Sequence, residues 1–215
     1  MRRIENRNFV SLNLLILLGI FTSIHEGIAS DRIFKVDDGL HRDTVQFVLD
    51  APFEVINGTT NTITGKVEIK GDIASGSFSV PVNTIKTGIE KRDEHLLNDK
   101  WLDAAKYPTI KFEFSGVKIP KNVWEGKKAS LSANGKWSIH GVTKKETAMV
   151  DLQYFAASEA TKKRMPGNLF RIKAKTKLKL SDYKIAQSDS KIKGLLGLKV
   201  GEVAEVSVDL MGSDK

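Results

Sequence analysis

The sequence predicts an all-β domain, and three observations carry that prediction. Apolar and polar residues alternate with a period of two through most of the chain after residue 30. Between residues 170 and 180 the alternation is nearly complete, with Arg171, Lys173, Lys175, Lys177 and Lys179 on one face and Phe170, Ile172, Ala174, Leu178 and Leu180 on the other. The pattern breaks once, over residues 87–105, where a helical spacing takes over. Eight or nine strands with one apolar face each close into an antiparallel barrel or stack as a sandwich.

The first element precedes the domain. Arg2, Arg3 and Arg7 are followed by an apolar run from Phe9 to Ile24, then by the small residues Gly27, Ala29 and Ser30. A basic start, an apolar stretch and a small-residue end describe a secretory signal peptide over residues 1–29, cleaved after Ala29, with a domain over 30–215. A retained membrane anchor is the competing reading, although the run falls short of the roughly 20 residues a spanning helix needs. No Cys follows the run to accept a lipid, and no second apolar stretch of spanning length occurs, so the remainder is expected to be soluble. Export means the periplasm where the organism has two membranes, and secretion otherwise.

Next come the strands. RIFKV (32–36) opens the series, and TVQFVLD places Val45, Phe47 and Leu49 on one face. TITGKVEIKG aligns Ile63, Val67 and Ile69; GSFSVPV aligns Phe78, Val80 and Val82. TIKFEFSGV presents Ile110, Phe112 and Phe114, and LSANGKWSI presents Leu131, Ala133, Trp137 and Ile139. A strand near 143–154 precedes the cationic one, and AEVSVDL closes the chain with Ala204, Val206, Val208 and Leu210 inward. Asn57-Gly58 and Asn134-Gly135 read as hairpin turns. If the last two strands pair, Glu205 and Asp209 fall beside the lysine comb and partly neutralise it.

The interruption begins TGIEKRDEHL (87–96). Thr87 and Glu90 have the spacing of a capping box, and Asn98 or Asp99 suits the cap of a second turn. Tyr107-Pro108 ends the segment, because the residue before proline avoids the helical region. Leu96, Leu97, Trp101 and Leu102 form its apolar face, expected to lie over one end of a barrel, while Arg92 and Asp93 hydrogen-bond the loops beneath. A catalytic reading would pair His95 with Asp93 or Glu94, but no nucleophile elbow of the Gly-x-Ser-x-Gly kind is present. His41, His95 and His140 lack metal-ligand spacing. The expectation is therefore no catalytic residues, no metal, no cofactor and no enzyme.

The 215 residues contain no cysteine, which excludes disulfides, thiolate catalysis and Cys-ligated metals together. Net charge is +8, or +7 after the leader's three arginines and two glutamates are removed. Excess lysine serves solubility, or peripheral contact of a basic face with an anionic membrane. Nucleic acid is not expected, since no aromatic side chain interleaves the cationic comb to stack on bases.

TGIEKRDEHLLNDKWLDAAKYPTIKFEFSGV (87–117) resembles the signature of the YceI-like family, a T-G-x-x-x-R-D-x-H-L run followed by Y-P and a strand of alternating Phe. GKWSIHGVTKKET (135–147) is similar to the family's G-x-L-x-I-x-G-V-T-K, and LKLSDYKI (178–185) stands before the last strand, with SDYKI where members carry N-R-x-D-F-G. The resemblance implies an extended, lipocalin-like antiparallel β-barrel of about eight strands with one short helical segment. It also implies an exported protein that carries or sequesters a long-chain amphiphile of polyisoprenoid, quinone or fatty-acyl type inside the barrel. The inward residues that would line such an interior are Phe47, Val67, Phe78, Trp101, Phe112, Phe114, Trp137 and Ile172. The same residues could fill a solid core, leaving a ligand-free barrel that acts as an envelope interaction or structural module.

Overall fold

The structure is a computed structural model and describes residues 31–36, 39, 42–51, 54–185 and 201–215. The leader and His41 lie outside the described residues. Ten strands run in the order β1 (Arg32–Val36), β2 (Thr44–Ala51), β3 (Glu54–Thr60), β4 (Thr64–Lys70), β5 (Ile73–Pro81), β6 (Thr109–Lys118), β7 (Ala129–Ile139), β8 (Val142–Phe155), β9 (Leu169–Lys179) and β10 (Val203–Ser213). Among the described residues two short helices interrupt them, α1 (Glu90–Leu97) before β6 and α2 (Glu159–Lys162) before β9.

All pairings are antiparallel, and the sheet closes on itself. β10 pairs with β2 over Ala204–Asp209 and with β1 at Ser213, opposite Lys35. β1 and β2 therefore act as two halves of one broken strand. β3 pairs with β2 and β4 pairs with β1, so they form the second broken strand. Ten segments thus occupy eight strand positions in an up-and-down barrel closed by the β1–β10 pairing, with the outer edge of β3 left beside the segment that follows β5.

The two ends of the barrel are built differently. At the base, Phe34 lies 5.2 Å from Phe170 and 6.4 Å from Tyr154, and Trp124 lies 5.2 Å from Tyr154 between ring centroids. The Arg32 guanidinium stacks 4.8 Å above Trp124. Phe34 and Phe170 are almost wholly inaccessible, so the base is plugged by rings. At the opposite end, residues 82–108 cross the mouth beside β3, whose outer edge is bridged among the described residues at Thr59, opposite Lys86.

Several sequence expectations need correcting. Asn57-Gly58 and Asn134-Gly135 are not turns; they lie inside β3 and β7, and β3 as a strand was not anticipated. The helical content exceeds one segment, since α2 forms a single turn with Ser158 and Thr161 as its capping box, and 3₁₀ turns occur at 121–125 and 180–183. Thr87 and Glu90 form no capping box. The residue preceding α1 is Ile89, and the Asp93 carboxylate reaches back to accept both the Thr87 N–H and its hydroxyl, each at 2.7 Å.

Candidate functional site

Four inward-facing phenylalanines explain four of the six glycines in the described strands. A Cβ at Gly58 would overlap the ring of Phe47, one at Gly65 that of Phe78, and one at Gly135 that of Phe112. At Gly76 it would stand 2.8 Å from Phe114 Cε1. Each ring occupies the place a neighbouring strand's side chain would have taken, and so lies along the wall instead of projecting to the axis. The rings also meet one another: Phe112 is 6.0 Å from Phe114 and 4.9 Å from Trp137, and Phe78 is 6.3 Å from Phe114.

Aromatic side chains laid against the wall leave the axis open. A cavity of about 200 Å³ runs through the barrel, from the ring of Phe170 at the base to Leu96, Trp101 and Leu102 at the cap. Close-packed interiors contain few voids larger than a water molecule, so this volume is a built space and not a packing defect. All eight residues expected at the interior line it: Phe47, Val67, Phe78, Trp101, Phe112, Phe114, Trp137 and Ile172. Beside Ala133 and Ala174, which the alternation places inward, sequence reasoning missed the small inward residues Gly58, Ala74 and Ala148 that add to its width. Their signal was present as small residues in the inward phase of strands.

Three polar side chains on this lining, Thr60, Thr176 and Tyr183, have partners within the wall. Thr60 and Thr84 share a hydroxyl hydrogen bond of 2.8 Å, Thr176 donates to the Thr147 carbonyl at 3.0 Å, and the Tyr183 hydroxyl donates to Glu146 at 3.3 Å. Burial, followed by the nearby Glu146 charge, pushes the Tyr183 phenol well above its usual range, so it stays protonated. Trp137 lacks one: its Nε1–H is buried without a partner.

The cap is fastened on both sides. Arg92 of α1 forms a 2.7 Å ion pair with Glu54 of β3, and the Thr59–Lys86 bridge secures the approach to the helix. Asn98 accepts the Lys100 N–H at 3.0 Å, capping the turn that delivers Trp101 and Leu102. On the exit side, Tyr107 stands edge-on to His140 at 5.2 Å. His140 adopts a positive φ of 50° in the β7–β8 turn, and its Nδ1 donates to the Tyr183 carbonyl at 3.1 Å. His140 thus joins the cap to residues 180–183. His95 is exposed on α1. Among the described residues no three His, Asp or Glu side chains are grouped to hold a metal.

The lysine comb faces outward and is partly neutralised, as the pairing of β9 with β10 requires. Lys177 meets Glu205 at 2.8 Å; Asp209 accepts from Arg171 at 2.7 Å and lies 3.4 Å from Lys173. The Arg171 hydrogen bond holds the Asp209 carboxyl below its ordinary range, against the opposing effect of burial. Lys175 and Lys179 have no ion pair among the described residues.

Known proteins share this fold. The chain is similar in structure to Burkholderia cenocepacia BcnA, at 18% identity and a TM-score of 0.61, covering 82% of this chain and 98% of that one. It is also similar to a polyisoprenoid binding domain from Saccharophagus degradans, at 14% identity and a TM-score of 0.63, covering 85% and 98%. A Campylobacter jejuni YCEI protein aligns at 18% identity and a TM-score of 0.58, covering 74% and 85%. In sequence, a UPF0312 protein of Shewanella denitrificans is 29% identical over 112 residues, 51% of this chain and 56% of that protein, so the match spans little more than half the relative's length. The YceI-like domain model matches residues 34–211, nearly the whole barrel. The chain belongs to the YceI-like domain family.

Proposed function

We propose that this protein is an exported carrier that sequesters one long-chain amphiphilic lipid, of polyisoprenoid, quinone or fatty-acyl type, along the barrel axis, and that it acts by binding and not by turnover. The observation that carries the reading is the cavity itself, apolar along almost its whole length, plugged by rings at the base and covered at the other end. An apolar space of this size stays dry, so an apolar chain displaces no ordered water and gains the full transfer term. A dozen methylenes contribute on the order of 10 kcal/mol before ordering costs, enough for tight binding after them. The description of the Saccharophagus relative as a polyisoprenoid binding domain points the same way.

Exchange of the lipid with an anionic membrane would use the outer basic face, where Lys175 and Lys179 remain without an ion pair among the described residues. The competing reading, a ligand-free barrel serving as an envelope interaction or structural module, is disfavoured by a wall whose glycines hold the rings off the axis.

The test is titration of the purified barrel with a radiolabelled polyisoprenol from a cyclodextrin complex. Saturation at one molecule per chain is expected, and Phe112→Asp, which places a charge in the dry space, should abolish uptake while the β-sheet circular dichroism persists. Uptake that never saturates, or that is unchanged in Phe112→Asp, would contradict the reading.

A further inference from the structure

Among the described residues of the cavity lining, one fully buried hydrogen-bond donor goes unanswered. Trp137 sits on the inner face of β7, opposite Phe112 of β6, and its Nε1–H is buried with no acceptor. Native structures seldom leave such a group unpaired, and where they do, a water or ligand usually accounts for it. Water is a poor candidate here. A buried water needs two to four polar partners, and Thr60, Thr176 and Tyr183 of the lining already have partners within the wall, while Lys175 is exposed. The natural partner for this donor is an acceptor on the bound molecule.

The position of Trp137 in β7 gives the arrangement a direction. Trp137 lies two residues before the end of β7 at the capped mouth, whereas the base is filled by Phe34, Tyr154 and Phe170 and offers a chain only apolar contact. We propose that the ligand class is an apolar chain bearing an uncharged acceptor oxygen of the carbonyl type, bound by the Trp137 Nε1–H in the cap half, with the chain running towards the aromatic base. This rests on the carrier reading above. A charged head is not suited to the position: Phe112 faces Trp137 from β6, while its register partner on β8, Lys144, is exposed and outside the lining and so offers no buried charge to offset desolvation.

The experiment offers the protein equal amounts of 2-tetradecanone and tetradecane and measures the retained ratio by extraction and gas chromatography. Trp137→Phe, which keeps the ring and removes the donor, should lower the ketone-to-alkane ratio about tenfold, the scale of one neutral hydrogen bond, and leave alkane retention within about twofold. A second readout needs no variant to fold. One of the three indole N–H resonances, assigned to Trp137, should shift downfield with the ketone and not with the alkane. An unchanged ratio in Trp137→Phe, or an indole resonance indifferent to the ketone, would overturn this inference and leave the carrier reading standing. Retention of neither probe by the wild-type chain would overturn both.

Discussion

The ring of Phe47 on β2 lies over Gly58, its register partner on β3, so closely that no side chain can be accommodated there. Gly58→Ala should drive the ring off the wall and into the lumen, destabilising the barrel by about 1–3 kcal/mol as an overpacked site and reducing lipid uptake. Shortening the ring in the same chain, as Phe47→Leu with Gly58→Ala, should recover part of that loss. Denaturant unfolding of the two single variants and the double variant gives the coupling energy directly.

If the hollow axis is where the lipid lies, filling it should separate binding from stability. Ala174 of β9 lines the cavity opposite Val150 and Val208. Ala174→Leu should weaken lipid uptake at least tenfold while the melting temperature stays level or rises, because the added methyls enter empty space and gain contacts. Loss of stability without loss of uptake would argue against an open axis at this point.

The Arg92–Glu54 pair fastens the cap to β3 from a partly exposed position, where ion pairs contribute about 0.2–1 kcal/mol. Arg92→Ala should therefore cost little stability. Its expected effect is kinetic: faster release of bound lipid at unchanged stoichiometry, with the difference from wild type shrinking at high salt.

Asp93 makes the cap sensitive to acid. Its carboxyl is held below the usual range, first by the Thr87 hydroxyl and then by the Thr87 backbone N–H. A carboxyl with a lowered pKa in the folded state contributes stability that is present above the unfolded value, about 3.9, and lost as pH falls through the folded value. The melting temperature of Asp93→Asn should accordingly vary less with pH than that of the wild type below about pH 4, and the two should run parallel between pH 5 and 7. Thermal scans across that range check the sign.

The barrel was legible because alternation survives wherever one face is wet. Phe47, Phe78, Phe112 and Phe114 fall in phase with the apolar residues of their strands, and that phase is the inner face. The helical interruption was legible from the loss of period two between Val82 and Thr109. Gly58 and Gly135 misled because Asn-Gly favours a tight turn in isolation, whereas here the glycines make room for rings from the neighbouring strand, a tertiary cause that no local pattern carries. The Thr87–Glu90 spacing misled similarly. A capping box requires the helix to begin one residue after Thr87, but it begins at Glu90, and Asp93 takes over Thr87 instead. The unpaired donor of Trp137 could not be read from sequence at all, since it follows from which partners the fold fails to bring near.

The account turns on whether the axis holds a lipid in the cell. The most direct measurement is organic extraction of the protein, purified from its own envelope without detergent, with mass spectrometry of the extract against a mock purification. The account predicts one long-chain amphiphile per barrel, absent from the mock and lost in Phe112→Asp. An empty extract from a folded barrel that also takes up no added polyisoprenol would contradict it.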